Sequence, residues 1–284
     1  MFELILENKN GDQLTFGLGS PFQIAGIDGL SAPKATINTS QTALMDGGKF
    51  NSSKVQMRTM HIAIAIDYDA AKSRTLLYKV IKSKQYIKVI YNGQYRQVFI
   101  EGYVEDMPIT HTDMKQICTV TIVCPEPFFK EAQMAVTEMR DIVSNFHFPF
   151  YSTAEPQIVF SYISNEAGMR VQNGGDVECG MIIELFARGA VSNPKVYDYI
   201  TQQFIGVEFD MIAADMIRID TRRGKKSAVL VRNGVETSVF NKVMPGSTWL
   251  QLPAEGSTFV YEVGTGSIAN LNVTFGHYNL YEGV

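Results

Sequence analysis

The sequence contains few residues of the types that build disulfide frameworks or metal centres. It has three cysteines, one tryptophan and four histidines in 284 residues. An odd number of cysteines cannot all pair, and Cys118 and Cys124 fall on one predicted strand, where six residues span about 20 Å. That separation is too long for a disulfide, so we expect reduced thiols and assembly in the cytosol.

Long apolar runs and a dominant charge sign are also missing. The longest apolar run, 62–66, is far shorter than the roughly 18 residues of a membrane helix, and no cationic segment precedes an apolar stretch near residue 1. We therefore expect neither a membrane span nor a signal peptide. The 25 basic and 29 acidic residues give a net charge of −4, which argues against a protein that grips nucleic-acid phosphates.

What the sequence does contain favours β-structure. Hydrophobic residues make up 45% of the chain, enough for a core, and 25 Ile and 24 Val stand against 14 Leu. Branched aliphatic side chains pack well on pleated sheets. At this length the prior is two domains, and we expect both to be mainly β.

The first half predicts a sheet with one helix and a projecting hairpin. Asn10-Gly11 predicts a tight turn in an opening hairpin. Extended segments at 34–42 and 54–67 flank the turn Asp46-Gly47-Gly48. The second segment exceeds the usual strand length, so it either crosses a sheet or projects as an arm. Its alternation places Gln56 and Arg58 on the face opposite the isoleucines.

Local patterns predict further elements of the first half. Asp69 predicts the N-cap of a helix, Ala70 to Lys82, with an apolar stripe of Leu76, Leu77, Val80 and Ile81. A second hairpin turns at Asn92-Gly93, and an alternating strand, Gln116 to Cys124, stops at Pro125. Residues 132–146 have apolar residues at helical spacing.

From residue 146 onward, turn signals recur every eight to twelve residues, a cadence typical of a β-sandwich. The predicted strands are 157–161, 169–172, 178–187, 204–209, 216–221, 227–232, 237–242, 247–252, 257–263 and 270–275.

No arrangement of residues indicates catalysis, a cofactor or a metal. The histidines, at positions 61, 111, 147 and 277, are scattered and lack the spacing of zinc ligands. Asp67 and Asp69 form an Asp-x-Asp pair, but strand-end and capping roles are favoured. Asp210, Asp215 and Asp220 recur every five residues, which splits them between strand faces, so turn roles are favoured over a carboxylate pair.

Three other features have a plain structural interpretation. Gly264-Thr265-Gly266-Ser267 lacks the lysine and helix of a phosphate loop and predicts a turn. The basic cluster Arg222, Arg223, Lys225 and Lys226 is typical of a solvated hairpin tip, with contact to an acidic partner as the alternative. An aromatic sugar-stacking platform is possible, although alternation favours core positions for most of its candidates, Trp249, Tyr261, Phe275, Tyr278 and Tyr281.

Several short motifs occur along both halves of the sequence. They are Asp46-Gly47-Gly48, Cys124-Pro125-Glu126-Pro127-Phe128-Phe129, Phe146-His147-Phe148-Pro149-Phe150, Asn173-Gly174-Gly175-Asp176-Val177-Glu178 through Gly180, Ser192-Asn193-Pro194, Ile219-Asp220-Thr221, Gly224-Lys225-Lys226 and Tyr281-Glu282-Gly283-Val284. Together these motifs resemble the distal tail protein (Dit) family of siphophages and prophages of Gram-positive bacteria. Cys179 and Ala214 depart from the family pattern, standing where Thr and Gly are commoner.

The resemblance implies a structural hub protein of the phage tail with no catalytic, cofactor or metal site. It implies an N-terminal β-sandwich-like ring domain, 1–136, a linker, 137–145, and a galectin-like C-terminal β-sandwich, 146–284. The hairpin, at about 34–60, would serve as a belt around the neighbouring subunit. Members form a homo-hexamer that joins the major tail protein to the tail-associated hub protein and the receptor-binding or baseplate proteins.

The resemblance also implies a place at the virion tail tip, with assembly in the host cytoplasm and neither membrane insertion nor stable sequence-specific nucleic-acid binding. Two other classes stay open. A carbohydrate-binding adhesin would use the galectin-like sandwich directly, and a cell-wall-cleaving enzyme would need two close carboxylates.

Overall fold

The structure is a computed structural model that describes residues 2–17, 19–41, 46–66, 69–110, 116–139, 141–144, 161–164 and 168–284. The chain forms two compact units, unit 1 (Met1–Gln133 with Leu280–Val284) and unit 2 (Met134–Asn279). Both are built mainly from antiparallel strands, which confirms the predicted fold class. No helix among the described residues is long and apolar enough to cross a membrane.

Unit 1 combines an antiparallel sheet with one helix and a separate hairpin. Its elements are β1 (Glu3–Asn8), β2 (Gln13–Phe16), β3 (Phe22–Asp28), β4 (Ala35–Ser40), β5 (Lys49–Val55), β6 (Arg58–Ile66), α1 (Ala70–Val80), β7 (Tyr86–Asn92), β8 (Gln97–Asp106), β9 (Ile109–Thr110), β10 (Gln116–Cys124) and β11 (Phe129–Glu131).

Unit 2 contains β12 (Ala135–Glu138), β13 (Asp141–Ser144), β14 (Ser161–Ser164), β15 (Gly168–Val171), β16 (Cys179–Ala187), β17 (Val191–Ser192), β18 (Lys195–Asp198), β19 (Phe204–Gly206), β20 (Asp210–Met211), β21 (Met216–Asp220), β22 (Ser227–Arg232), β23 (Val235–Ser238), β24 (Gln251–Leu252), β25 (Ser257–Glu262), β26 (Thr265–Gly266) and β27 (Leu271–His277). Short 3-10 helices span Phe240–Lys242 and Ile268–Asn270. The last strand, β28 (Leu280–Tyr281), belongs to unit 1.

The main sheet of unit 1 has the order β2-β1-β7-β8-β10-β6-β3. The opening hairpin forms as predicted, and Gly11 takes the positive φ, +85°, that its turn requires. Alternate residues of β1, β6, β7, β8 and β10 face one buried core. Strand β6 lies between β10 and β3, so it is covered along both edges.

The helix α1 begins at the predicted cap and covers part of this core. The Asp69 side chain accepts a hydrogen bond from the Lys72 backbone N–H. Leu77, Val80 and the following Ile81 are buried as expected. The prediction for Leu76 was wrong, because the buried stripe is narrow and Leu76 lies at its exposed edge.

The long extended segment predicted at 54–67 is two strands. Strand β5 ends at Val55, and residues 56 and 57 belong to neither strand. Strand β6 starts at Arg58 and pairs with different partners. Both outcomes considered from its length occur, since β6 lies within the sheet and β5 belongs to a hairpin that projects from it.

Unit 2 packs two sheets face to face. One has the order β12-β27-β16-β21-β22-β23 and the other the order β15-β25-β18-β19. The rings of Phe259 on β25 and Phe275 on β27 stack with centroids 5.0 Å apart, which joins the two sheets in one core.

The described residues of the segment between the halves include two strands. Residues 135–138 form β12 and residues 141–144 form β13, although apolar residues within 132–146 recur at helical spacing. Pairing of β12 with β27 incorporates residues of the predicted linker, 137–145, into unit 2. Of the strand predicted at 157–161, only Ser161 lies within the described residues, where it begins β14. The strand predicted at 237–242 ends at Ser238, because the chain turns into a 3-10 helix.

Candidate assembly surface

The hairpin β4–β5, which we call the arm (residues 35–55), has strands whose residues are almost all exposed to solvent. Its two strands pair with each other as a two-stranded sheet of their own. Every residue of β5 is exposed. An isolated two-stranded hairpin is only marginally stable in water, so the arm is a structure that benefits from a partner.

The arm has one apolar face and one polar face. Residues directly opposite each other in an antiparallel ladder point to the same side. Ala35 pairs with Val55, Ile37 with Ser53 and Thr39 with Phe50. The apolar face therefore contains Ala35, Ile37, Thr39, Phe50, Ser53 and Val55, and the polar face contains Thr36, Asn38, Ser40, Lys49, Ser52 and Lys54.

A bulge places Phe50 on the apolar face. The register shifts between Asn38, which pairs with Ser52, and Thr39, which pairs with Phe50, so Asn51 is an extra residue on β5. Strict alternation along β5, with no bulge, would put Phe50 on the same side as Ser52. The bulge thus brings an aromatic ring onto the side occupied by Ile37 and Val55.

The apolar face is open to solvent. Ile37 is 56% exposed, Phe50 59% and Val55 41%, and Met57 just beyond β5 is 64% exposed. Covering side chains of this size contributes on the order of 1 kcal/mol each. The polar face stabilises the hairpin itself: the Asn38 side-chain amide donates to Ser52 Oγ at 2.9 Å, and the Gln56 amide donates to Thr36 Oγ1 at 2.7 Å.

The connection between arm and sheet depends on Arg58, whose predicted face was wrong. Arg58 was expected on the face opposite the isoleucines, but it is buried on the same side as Met60 and Ile62. Counting backward from Ile66 by twos predicts this position. The backbone carbonyls that Arg58 binds have no local sequence signal.

The two histidines within the described residues, His61 and His277, belong to different units. His61 lies on the sheet surface with Nδ1 3.2 Å from Thr121 Oγ1, and His277 is buried in unit 2. His111 and His147 lie outside the described residues. In the described ranges, no group of three or more His, Cys, Asp or Glu side chains is placed to hold a metal ion.

The aspartates have the local roles that spacing favoured. Asp69 caps α1, and Asp67 lies outside the described residues. The buried Asp215 carboxylate accepts from the Ile212 N–H at 2.9 Å and from two nitrogens of Arg232 at 2.7 and 2.6 Å. The Arg232 hydrogen bonds lower the pKa of Asp215 against the opposing effect of desolvation.

The basic cluster is partly neutralised by its own unit. Arg222 binds Asp220 through Nε and Nη2, and Arg223 Nη2 lies 2.5 Å from Glu178 Oε1. The Lys226 ammonium lies 5.6 Å from the centroid of Trp249. Exposed ion pairs of this kind contribute little to stability.

The glycine-rich segment is a structural turn. Thr265–Gly266 forms β26 against β17, and Gly266 has φ +99°. A Cβ there would lie 2.6 Å from the Ala190 carbonyl oxygen, so the position requires glycine.

The five aromatic candidates do not form one surface. Tyr261 and Phe275 are buried in unit 2, and Tyr281 belongs to unit 1. Trp249 is partly exposed and stacks on the exposed ring of Phe240, with centroids 5.6 Å apart.

The three cysteines are free, in line with the expectation of reduced thiols, and all three are buried. Desolvation raises the pKa of Cys118 to about 11 and those of Cys124 and Cys179 to about 12. Their thiols stay protonated near neutral pH, which makes them poor nucleophiles.

Two family models match the chain, one in each half. Residues 9–124 match the model described as a phage tail protein RIFT-related domain. Residues 174–277 match the model described as a siphovirus-type tail component, C-terminal domain. A comparison with curated protein sequences gave no match.

Solved structures share the fold over nearly the whole chain. The crystal structure of phage SPP1 Dit, presented as a paradigm of the hub adsorption apparatus of phages infecting Gram-positive bacteria, has a TM-score of 0.70 at 12% identity and covers 99% of both chains. A chain of the phage P2 baseplate in its activated conformation with Ca has a TM-score of 0.56 at 11% identity and full coverage of both chains. The same baseplate with Sr gives 0.53 at 10% identity and 98% coverage of both.

Proposed function

Since the chain belongs to the distal tail protein (Dit) family of siphophages, we propose that it forms a homo-hexameric hub ring that connects the tail tube to the tail tip or baseplate. Its neighbours in the virion would be the major tail protein on one side and the tail-associated hub protein and receptor-binding or baseplate proteins on the other. Assembly would take place in the host cytoplasm.

The arm is the observation that carries this proposal. It presents Ile37, Phe50 and Val55 on one exposed face, and its polar face satisfies its own side chains. A hairpin with an open apolar face binds a complementary surface rather than a small molecule. If that surface lies on the next copy of the chain, the contact is heterologous, and a suitable rotation closes it into a ring.

The two units would then have different tasks. Unit 1, with the arm, would close the ring, and the unit 2 sandwich, which we propose to be galectin-like, would serve as a docking platform for peripheral proteins. No catalytic step is assigned to the chain, because Asp215 and Asp220 are engaged by arginines and the cysteine thiols stay protonated.

The mass of the purified protein in solution tests the ring. We expect a species of about 190 kDa, six times the 31.7 kDa of one chain, that grows with concentration. The double substitution Ile37→Asp with Phe50→Asp adds two charges to the apolar face and should leave a folded monomer, because neither side chain contributes to a core.

A matched control adds the same two charges to the opposite face. Thr36→Asp with Ser52→Asp keeps oxygen acceptors for Gln56 and Asn38 and should assemble like the wild type. Equal loss of assembly in both doubles would show that charge, and not the apolar face, is responsible. A wild-type chain that is monomeric at every concentration and in assembled tails would reject the ring.

A further inference from the structure

The last residues of the sequence, which we call the tail (280–284), lie against unit 1 near the base of the arm. Strand β28 pairs with β11, so the tail joins the sheet of unit 1. The Arg96 guanidinium stacks 4.2 Å from the centroid of the buried Tyr281 ring and donates to the Gly283 carbonyl at 3.2 Å. The Val284 N–H donates to the carbonyl of Leu30 at 3.1 Å.

Leu30 belongs to the segment through which the chain enters the arm. We call the two connecting segments, 29–34 and 56–58, the root. The Gln56 N–H donates to the Lys34 carbonyl at 2.8 Å, which closes the root across the hairpin. The direction in which the arm leaves unit 1 is therefore set by what holds the root.

Arg58 joins the tail to both sides of the root. This side chain is 4% exposed and packs over the ring of Phe129, with Cζ 4.6 Å from its centroid. Its guanidinium donates four hydrogen bonds to backbone carbonyls, those of Pro127 (2.7 Å), Gly29 (2.5 Å), Ser31 (2.5 Å) and Glu282 (2.6 Å).

Arginine suits this position because its planar fork reaches several segments at once. A buried cation requires hydrogen-bond acceptors in fixed positions, and desolvation already lowers the pKa of Arg58. A lysine would concentrate its charge on one nitrogen and could not bond three separate segments with the same geometry. Of the four carbonyls that bind Arg58, that of Glu282 is the one that belongs to the tail.

The segments around Arg58 approach so closely that a shift of one moves the others. Gly29 has φ +92°, and a Cβ there would lie 2.7 Å from the Thr59 carbonyl oxygen. A Cβ on Gly283 would lie 3.1 Å from the Leu30 carbonyl oxygen. Backbone contacts this tight leave little room for adjustment, so seating of the tail and geometry of the root are coupled.

We propose that the tail is a positioning element for the arm, and that it acts through Arg58 and the Leu30 carbonyl to hold the root in the conformation that assembly requires. The assembly consequence rests on the proposed function, whereas the positioning itself is a property of the single chain. The tail is then needed for ring formation without touching the apolar face of the arm.

Spin labels on the full chain test the positioning directly. Cysteines introduced at Ser52 on the arm and Lys79 on α1 are both exposed, and the native thiols are buried. In the monomer we expect a narrow label–label distance distribution. Truncation after Asn279 should widen this distance distribution at least twofold. It should also raise the rate of amide hydrogen exchange at residues 29–32 at least tenfold and leave the rate at residues 62–66 unchanged.

Two further variants separate loss of the tail from loss of the fold. Arg58→Lys keeps the whole chain and the positive charge and should reproduce the wider distribution. Glu282→Gln keeps both the backbone carbonyl that Arg58 binds and the length of the side chain, and should keep a distribution narrower than that of the truncated chain. An unchanged distribution and unchanged exchange of 29–32 in both the truncated chain and Arg58→Lys would overturn the proposal.

The two proposals fail in different ways. If the wild type never forms a ring but truncation still frees the arm, the hexamer is rejected and the positioning role stands. If truncated and wild-type chains assemble at the same concentration with equally narrow distributions, the positioning role is rejected and the hexamer stands. The expected result is a concentration for half-assembly at least tenfold higher without the tail.

Discussion

Strands β5 and β6 are neighbours in the sequence, separated by two residues, yet they have opposite environments. All residues of β5 are exposed, whereas every second residue of β6, the strand between β10 and β3, is buried in the core of unit 1. Both present one apolar face, which β6 forms by strict alternation and β5 through its bulge. The difference lies in the surroundings of each apolar face: that of β6 meets the core of its own chain, and that of β5 meets solvent.

This contrast separates two uses of the same pattern. An apolar face that packs within the chain contributes to folding free energy, and one that stays open is available for association. Substitutions in β6 should therefore change the stability of the monomer, and equivalent substitutions in β5 should change the stability of the assembly.

The largest expected effect is on the core side. Ile64→Ala removes a fully buried side chain that pairs across the sheet with Cys118 and Ile24. We expect unit 1 to lose about 2 to 4 kcal/mol of unfolding free energy. Ile37→Ala on the arm should cost less than about 0.5 kcal/mol. Urea unfolding of monomeric protein measures both, and equal losses would show that the arm packs against its own chain.

A smaller effect is expected at Asp215 in unit 2, whose carboxylate accepts hydrogen bonds from Ile212 and Arg232. Asp215→Asn weakens the bonds to Arg232 and should lower the melting temperature at pH 7. The pKa of Asp215 is lowered in the folded state, so its contribution is present above the ordinary Asp pKa of about 3.9 and is lost as pH falls further.

Melting curves between pH 7 and pH 2.5 measure this dependence. The gap between wild type and Asp215→Asn should be constant from pH 7 to about pH 5 and close below about pH 4. A gap that widens on acidification would mean that the ion pair is not the source of the stabilisation. Asp210→Asn, at an exposed position, is the control and should show no gap.

The residue before this aspartate should give a small gain. Ala214 has φ +72°, a conformation that costs a residue with a Cβ about 1 kcal/mol relative to glycine. Glycine is the usual residue at this position in the family that the sequence resembles, and the positive φ is the physical reason. Ala214→Gly should stabilise unit 2 by up to about 0.5 kcal/mol, which is the relief of strain minus the added chain entropy of glycine. A loss of stability in thermal unfolding would contradict it.

Local patterns predicted the parts of the fold that depend on local interactions. The Asn10-Gly11 turn, the Asp69 cap and the alternation of Gln116 to Cys124 all correspond to observed elements. No element was predicted at 132–146, where helical spacing occurs in residues that pair as strands with distant partners. Tertiary pairing overrode the local period there.

The sequence predicted the projecting hairpin, but it did not predict the bulge within the hairpin or the contacts that hold its base. The turn glycines at 47 and 48 and the length of the next extended segment indicated a projecting hairpin. The Asn51 bulge and the contacts of Arg58 with Gly29, Ser31 and Glu282 were not predictable, because a register shift and bonds to backbone carbonyls leave no pattern in the sequence.

The smallest expected change in monomer stability comes from moving one ring across the arm. Phe50→Ser with Ser52→Phe conserves composition and charge but transfers the aromatic side chain to the polar face. Because neither position is buried, unfolding free energy should change by less than about 0.5 kcal/mol. An aromatic side chain at an interface commonly contributes about 1.4 kcal/mol or more, so the concentration for half-assembly should rise at least about tenfold.

The single substitutions distinguish the reasons for that loss. Ser52→Phe alone keeps Phe50 in place and should assemble nearly as well as the wild type, whereas Phe50→Ser alone should assemble as poorly as the exchanged pair. Sedimentation velocity over a hundredfold range of concentration measures all four proteins. Normal assembly of the exchanged pair would show that the face of the arm is irrelevant, and the division between β5 and β6 would then describe exposure and not function.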